Sequence, residues 1–165
     1  MRNLIKLTLI LFLLHGCTID NKKTAANVDL IKKYVAAVEA KDYATMEALL
    51  AESYKGYGPS HSDSTTREAA LAAWKENIEN LYESISYERS RNAAVAIKDG
   101  PNKGEWVANW AELVITYKND RGTVTIWANT NYQIKNGKIV RSYTFYNEAD
   151  AMRQLGYEFI NPNEL

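Results

Sequence analysis

The amino-acid sequence changes character close to Ser84, and this change limits the possible folds more than any other feature. Before Ser84, apolar residues recur three and four positions apart, which is typical of helices with one buried face. After Ser84, β-branched and aromatic residues form runs that are separated by turn signals, which is typical of strands. Helices and strands that are segregated in this way predict an α+β fold, since alternating units would form a parallel sheet.

The helical half contains three amphipathic segments. The first covers residues 28–40, and Asp42 can cap a shorter second helix. The loop YKGYGPSHSDS follows, because its glycines and proline interrupt the helical pattern. Thr65 and Glu68 form a capping box for the third helix. We therefore expect three N-terminal helices packed on a curved antiparallel meander sheet.

The dipeptide Asn136-Gly137 predicts how the last two strands pair. A two-residue type I′ turn at this point places Ile134 opposite Ile139 and Tyr132 opposite Arg141. Paired residues share one face of a sheet. In this register the inner face consists of Val124, Ile126, Ala128, Thr130, Tyr132, Ile134, Ile139, Arg141, Tyr143, Phe145 and Asn147.

The orientation of the preceding strand, residues 105–117, depends on the length of the turn at NDRG. A three-residue loop with Gly122 in the left-handed region is the register that we prefer. It turns inward Trp106, Ala108, Trp110, Glu112 and Val114. A loop that differs by one residue turns inward Val107, Asn109, Ala111, Leu113, Ile115 and Tyr117. The preferred register leaves Leu113, Ile115 and Tyr117 on the outer face with Trp127. This apolar patch predicts a sheet-to-sheet homodimer.

The first seventeen residues, MRNLIKLTLILFLLHGC, have the layout of an export signal. Arg2 and Lys6 lie around a short apolar run that ends at a small residue and a cysteine. The apolar run is about half of the roughly 20 residues that a membrane-spanning helix needs. Cys17 is the only cysteine in the chain, so it cannot form an internal disulfide. Acylation explains a single cysteine in an exported chain, and the alternative is an ordinary signal peptide whose cysteine is incidental.

Residues 14–17, Leu-His-Gly-Cys, resemble the lipobox of bacterial lipoprotein precursors. The resemblance implies that Cys17 carries a lipid and that the chain is cut just before it. We therefore predict a signal peptide at residues 1–16, a flexible lipid-anchored tether at residues 17–26 and one pocket domain at residues 27–165. The expected location is the cell envelope, with the protein anchored to a bacterial membrane.

Charge and motifs exclude several classes of function. Twenty acidic and twenty basic residues are interspersed and give a net charge of zero, which argues against nucleic acid as a partner. Nucleotide-binding, serine hydrolase and zinc protease motifs are absent from the sequence. Beyond the predicted signal peptide, His61 is the only histidine, and no group of His, Asp or Glu has the spacing of metal ligands. We expect neither a metal nor a cofactor.

Three helices followed by a meander that ends in NGKIVRSYTFYNEADAMRQLGY resemble the SnoaL-like branch of the nuclear transport factor 2 superfamily. The segment DLIKKYVAAVEAKDYATMEALLAESYKGYGP resembles the opening helices of that family and the loop at the mouth of its cone. The resemblance implies a cone-shaped α+β fold with a pocket between sheet and helices. Members use this pocket for cyclisation, hydration or dehydration, isomerisation, or plain binding, and the fold does not choose among these.

The resemblance also bears on catalysis. In the SnoaL-like cyclases, an aspartate about seven residues before Gln-Leu-Gly is the general base. The matching position here holds Asn147, whose amide cannot take up a proton at neutral pH. Other acid/base candidates are His61 in the mouth loop, Glu112 paired with an inward Arg141, and Asp150, which lies three residues after Asn147 in a predicted final helical turn.

The expected pocket is lined mainly by aromatic residues, with Arg141 and Asn147 as polar anchors. Its predicted residues are Tyr57, Trp74, Trp110, Tyr132, Arg141, Tyr143, Phe145 and Asn147. The leading hypothesis is a non-catalytic domain that binds a small apolar or aromatic molecule. The alternatives are a cofactor-independent lyase, isomerase or cyclase, and an interaction module that acts through its outer sheet face.

Overall fold

A computed structural model describes residues 21–164 of the chain, which form helices packed on a curved mixed sheet. The helices are α1 Asn21–Glu39, α2 Tyr43–Leu49, α3 Arg67–Glu76 and α4 Glu148–Gln154; a π-helical turn, Asn77–Leu81, follows α3, and a 3-10 turn covers Pro162–Glu164. The strands are β1 Leu50–Tyr57, β2 Ser64–Thr66, β3 Tyr82–Ile97, β4 Gly104–Tyr117, β5 Gly122–Lys135 and β6 Lys138–Tyr146. Their order across the sheet is β2-β1-β6-β5-β4-β3.

The α+β class is confirmed, and so is the antiparallel meander from β3 to β6. Strands β1 and β2 were not predicted, and residues 54–57 of β1 belong to the segment that was predicted to be a loop. Strand β1 pairs in parallel with β6, which makes the sheet mixed, and the helical turn predicted around Asp150 is the short fourth helix α4. Asp42 caps α2, since its carboxylate accepts a hydrogen bond of 3.0 Å from the N–H of Thr45. The cap of α3 is Thr66, so the predicted capping box at Thr65 is wrong by one residue.

The core lies between α1, α2 and the inner face of the sheet. Its fully buried side chains come from both layers: Ile31, Val38, Met46, Val107, Val124 and Ile139. Each such side chain stabilises the fold by about 1.5–3 kcal/mol through its removal from water. The apolar face of α1 and the inward residues of the strands therefore form one hydrophobic cluster.

A β-bulge in β6 corrects the predicted register of the last hairpin. Ile134 pairs with Ile139 as predicted, but the next pair is Gln133 with Arg141, so Val140 is an extra residue in β6. Beyond this bulge every residue of β6 faces the opposite side from the prediction. The inner face therefore carries Ser142, Thr144 and Tyr146, whereas Arg141, Tyr143 and Phe145 face outward.

The turn between β4 and β5 selects the register that we had not preferred. Tyr117 pairs with Gly122, so the turn contains residues 118–121. Asn119 and Asp120 both adopt the left-handed region, with φ of 59° and 56°, which accommodates the longer turn. Consequently Val107, Asn109, Ala111, Leu113, Ile115 and Tyr117 face inward, and Trp106, Ala108, Trp110, Glu112 and Val114 face outward.

The N-terminal helix begins earlier than predicted. Residues 21–26 form its first turns, so the prediction of a flexible tether is wrong from Asn21 onward. The predicted signal peptide, Cys17 and the first part of the tether lie outside the described residues. Between residues 21 and 164, no helix is both long enough and apolar enough to cross a membrane.

Candidate ligand pocket

A cavity of about 250 Å³ lies between the inner face of the sheet and the helices α3 and α4. Its walls are mostly aromatic and aliphatic: Trp74, Asn77, Tyr82, Ile85, Tyr87, Asn109, Leu113, Ile115, Tyr117, Ile126, Ala128, Thr130, Thr144, Tyr146, Glu148, Ala151 and Met152. A second pocket of about 270 Å³ lies under the loop that follows β1. Trp74, Asn77 and Thr144 line both spaces and therefore form the wall between them.

Three tyrosines from different strands line the mouth of the cavity. The rings of Tyr82 and Tyr117 meet edge to face, with centroids 5.3 Å apart. Burial raises the pKa of Tyr82 to about 12. Burial also raises the pKa of Tyr117 and of Tyr146, and the negative charge of Glu148 adds to both shifts. These hydroxyls therefore stay protonated at neutral pH and can donate hydrogen bonds to a ligand.

Asn109 is a buried polar side chain in the same cavity wall, with only 2% of its surface exposed. Its amide nitrogen donates to Ser90 Oγ at 2.8 Å and to Asn92 Oδ1 at 3.1 Å. The pairing of β3 with β4 is irregular between Glu88 and Arg91, next to these partners. Because strand β3 holds the amide at two points, Asn109 is fixed in one orientation.

The loop after β1 is fixed against β6 by Gly58. This residue has φ of +96°, and a Cβ atom on it would lie 2.2 Å from the carbonyl oxygen of Thr144. The N–H of Gly58 donates to the carbonyl oxygen of Asp63 at 3.3 Å, which closes the loop. Only glycine fits this position, so the loop is held directly beside the wall that separates the two spaces.

Helix α4 covers the other side of the mouth and is fastened by Gln154. The side-chain amide of Gln154 accepts from the N–H of Thr125 at 2.9 Å and donates to the carbonyl oxygen of Thr125 at 2.9 Å. Thr125 precedes Ala128, which is the first residue of β5 that pairs with β6. The Gln154 amide therefore forms hydrogen bonds with a part of β5 that has no partner in β6. In this way Gln154 places Glu148 and Met152 over the cavity.

None of the three predicted catalytic side chains lines the cavity or the second pocket. Glu112 faces outward and forms an ion pair of 3.2 Å with Arg89, so its predicted inward pairing with Arg141 is wrong. Asp150 accepts a hydrogen bond of 3.1 Å from Gln154 within α4. His61 is exposed in the loop after β1.

The predicted pocket residues are divided among three environments. Trp74 lines the cavity and the second pocket, and Tyr57 lines the second pocket. Tyr132 belongs to the core, with its ring 5.9 Å from that of Tyr34. The outer sheet face carries Trp110, Arg141, Tyr143 and Phe145. Asn147 caps α4, because its side-chain oxygen accepts from the N–H of Asp150 at 3.0 Å.

The site residues that the sequence analysis missed are Tyr82, Asn109, Tyr117, Tyr146 and Glu148. Asn109 and Tyr117 face inward in the alternative register of β4, so the signal for them in the sequence is the length of the NDRG turn. Tyr146 faces inward only because of the bulge in β6. Among residues 21–164, no group of three or more His, Cys, Asp or Glu is arranged to hold a metal ion.

The fold and its cavity define a cone-shaped α+β pocket domain. The family model of the SnoaL-like domain matches residues 31–142, and the chain belongs to this family. No curated protein matched the sequence.

Solved structures share the fold at low sequence identity. A Xanthomonas campestris protein called a polyketide cyclase is 15% identical, with a TM-score of 0.66 over 80% of this chain and 98% of that one. A Pseudomonas putida protein of the same name is 24% identical, with a TM-score of 0.63 over 77% and 96%. An epoxide hydrolase from Mycobacterium tuberculosis is 12% identical, with a TM-score of 0.58 over 81% and 91%. These likenesses establish the fold alone.

Proposed function

We propose that this SnoaL-like domain binds a small apolar or aromatic molecule in its 250 Å³ cavity and does not transform it. The observation that supports this proposal is the chemistry of the cavity wall. Among the described residues of that wall, Glu148 at the mouth is the only carboxylate, and none is a histidine, lysine or cysteine. Acid/base enzymes generally place titratable groups with different pKa values around the reacting atoms. Apart from Glu148 and the tyrosines, whose pKa is raised by burial, the described wall offers no acid or base.

The size and polarity of the cavity favour a ligand with one or two rings. An apolar cavity of about 150 Å³ is enough to hold benzene. The cavity here is larger, at about 250 Å³, and tyrosine hydroxyls and the Asn109 amide are among its polar groups. Such groups fix the orientation of a ligand by hydrogen bonds to its hydroxyl or carbonyl group.

The replacement Ala128→Phe is expected to abolish this binding. Ala128 is half-buried and lines the cavity, so a phenyl group at this position occupies the volume of the ligand. Native mass spectrometry of the purified protein identifies a co-purified molecule, and fluorescence titration with 2-naphthol measures affinity. We expect the affinity to fall by at least about tenfold, or 1.4 kcal/mol. Ala72→Phe, on the exposed side of α3, is the control. Equal affinity in both variants would contradict the proposal.

A second candidate is a cofactor-independent acid/base enzyme acting on a small organic substrate. It is favoured by the position of Glu148, whose charge acts on Tyr82, Tyr117 and Tyr146 at the same mouth. Similar structures carry the names polyketide cyclase and epoxide hydrolase, which are names of enzymes. NMR can show whether the protein converts a bound compound into a product. Such a conversion would replace the binding proposal with the enzyme proposal.

We further propose that the protein is a homodimer that forms through the outer sheet face. The residues predicted for this patch need correction, because Leu113, Ile115 and Tyr117 face inward and only Trp127 faces outward. The outer face nevertheless carries large exposed side chains: Val95 at 56%, Trp110 at 46%, Trp127 at 67% and Phe145 at 55%. Exposed apolar patches of this kind commonly mark interfaces.

The replacement Trp127→Glu is expected to dissociate this dimer, because a charge would be buried within the patch. Sedimentation velocity at micromolar concentration should show a monomer for Trp127→Glu and a dimer for the wild-type protein. Phe159→Glu serves as the control, since Phe159 is 61% exposed and lies outside the sheet. A wild-type protein that sediments only as a monomer would rule out the dimer.

The export signal and lipobox-like residues support a third part of the proposal, in which the domain is anchored in the cell envelope through a lipid on Cys17. The intact mass of protein extracted from bacterial membranes measures the attached acyl chains directly. A protein that is cut elsewhere and carries no acyl chain would contradict the anchor.

A further inference from the structure

One end of the sheet carries a cluster of basic side chains, which we call the basic tip. It is formed by the first turn of α1, the β3–β4 loop, the β5–β6 turn and the start of β6. Its basic residues are Lys22, Lys23, Lys98, Lys103, Lys135, Lys138 and Arg141. The acidic residues on these described segments are Asp99 and Glu105. The tip therefore carries a clear excess of positive charge, although the whole chain has a net charge of zero.

Contacts between the segments show that these residues form a single surface. Lys23 lies 2.9 Å from Glu105, which joins α1 to the start of β4. Lys135 pairs with Lys138 across the β5–β6 turn, and Ile97 pairs with Gly104 at the ends of β3 and β4. One open groove of about 860 Å³ is lined by Lys23, Lys103, Lys135 and Arg141 together. The nearby acids Glu47 and Glu52 each pair with Arg67.

The cavity mouth lies at the opposite end of the sheet. Tyr82 and Tyr117 pair at the far end of β3 and β4, and both line the cavity. A strand of the length of β4 covers about 45 Å. Acidic and basic residues both lie on the elements around this mouth, where Lys118, Arg121 and Arg153 accompany Glu79, Glu148 and Asp150. The excess of basic residues at the tip therefore has no counterpart at the mouth.

The tip also contains the first described residues after Cys17 in the chain. Helix α1 begins at Asn21, four positions after Cys17. A fully extended chain spans at most about 14 Å over four residues. An acyl chain on Cys17 would therefore hold the tip within reach of lipid headgroups, while the mouth would lie much farther from the membrane.

We propose that the basic tip rests on an anionic phospholipid surface, so that the cavity mouth points away from the membrane. This inference rests on the proposed lipid anchor at Cys17. Each Lys or Arg near an anionic membrane surface contributes about 1 kcal/mol of attraction. This attraction acts over about 8 Å at physiological ionic strength, so it orients the tip and does not reach the mouth. Ligands then enter the cavity from the aqueous side and not from the bilayer.

The experiment uses the full-length precursor, expressed in bacteria and extracted from membranes. Acylated Cys17 has no free thiol, so a single added cysteine can be labelled with a fluorophore. Pro101→Cys reports on the tip, and Arg121→Cys reports on the β4–β5 turn at the opposite end. The labelled proteins are reconstituted in phosphatidylcholine vesicles with or without phosphatidylglycerol, and a nitroxide on the lipid headgroups quenches nearby probes.

We expect the tip probe to be quenched at least about fivefold more than the other probe in the presence of phosphatidylglycerol, as about 1 kcal/mol of orientation implies. The double variant Lys103→Glu/Lys135→Glu should lower this difference to the value that is measured without phosphatidylglycerol. The control Lys33→Glu/Lys75→Glu makes the same charge change on exposed helix positions away from the tip and should preserve the difference.

The outcomes separate the orientation from the anchor. An acylated protein whose two probes are quenched alike, or whose tip quenching is unchanged without phosphatidylglycerol, would overturn the orientation alone. A mass without acyl chains would overturn the anchor, and the orientation with it.

Discussion

Raising the pH above about 10 is expected to unfold the domain, because buried tyrosines in its core cannot ionise while it is folded. Tyr34 and Tyr132 are 6% and 5% exposed, and their rings lie 5.9 Å apart. Burial raises the pKa of both phenols above the usual value of 10.0, and neighbouring tyrosines raise it further. The unfolded chain releases these protons near pH 10, whereas the folded chain retains them. Stability is therefore complete below pH 10 and declines above it.

The expected effect is large compared with the stability of a domain. Each phenol costs about 1.4 kcal/mol per pH unit above pH 10, so the two together cost about 3 kcal/mol by pH 11 and about 5 kcal/mol by pH 12. Domains of this size are stable by about 5–15 kcal/mol. Denaturant unfolding at pH 8, 10 and 11, followed by tryptophan fluorescence, measures the decline.

The variant Tyr132→Phe tests the cause of this decline. It removes one titrating phenol, so the free energy of unfolding should fall less steeply above pH 10, by about 1.4 kcal/mol per pH unit. The control Tyr157→Phe alters a ring that is 55% exposed and should leave the slope unchanged. A wild-type protein that is as stable at pH 11 as at pH 8 would show that the phenols ionise in the folded state.

Local signals in the sequence predicted most of the elements correctly. The spacing of apolar residues found α1, and Asp42 was correctly assigned as the cap of α2. The Asn136-Gly137 turn predicted the pair Ile134 and Ile139, since both turn residues adopt positive φ as a type I′ turn requires. These features depend on residues that are close in the sequence, and the chain specifies them without reference to the rest of the fold.

The candidate site was predicted poorly because it depends on register. The sequence of β6, KIVRSYTFY, has aromatic residues on both faces of the strand. Its hydrophobic pattern therefore does not show which face lies inside. One extra residue, Val140, then moved Tyr143 and Phe145 to the outer face and Tyr146 to the inner face. Nothing in the sequence around Val140 marks the bulge.

Strand β1 was missed for a different reason. Its partner in the parallel pair is β6, about 85 residues later in the chain, so no local turn signals the pairing. The pairing is supported by a buried hydrogen bond of 2.7 Å between the hydroxyls of Tyr54 and Ser142. Ser142 faces inward only because of the bulge, so the position of β1 and the register of β6 depend on each other.

Deletion of Val140 is expected to prevent the domain from folding to its native state. Without the bulge, Ser142, Thr144 and Tyr146 would face outward, and Arg141 would be forced into the core beside Tyr132. The loss of the Tyr54–Ser142 hydrogen bond and the burial of an unpaired charge act together. We expect a loss of more than about 4 kcal/mol, measured by denaturant unfolding and by the dispersion of the NMR amide signals.

The substitution Val140→Ala separates the bulge from the side chain that it carries. Val140 is half-buried, so truncation to alanine keeps the extra residue and removes only part of one contact. We expect Val140→Ala to cost about 1 kcal/mol and to retain the native amide spectrum. A deletion variant that is as stable as Val140→Ala would show that β6 tolerates both registers. The inner face of the sheet, and the cavity with it, would then be set by the helices and not by the bulge.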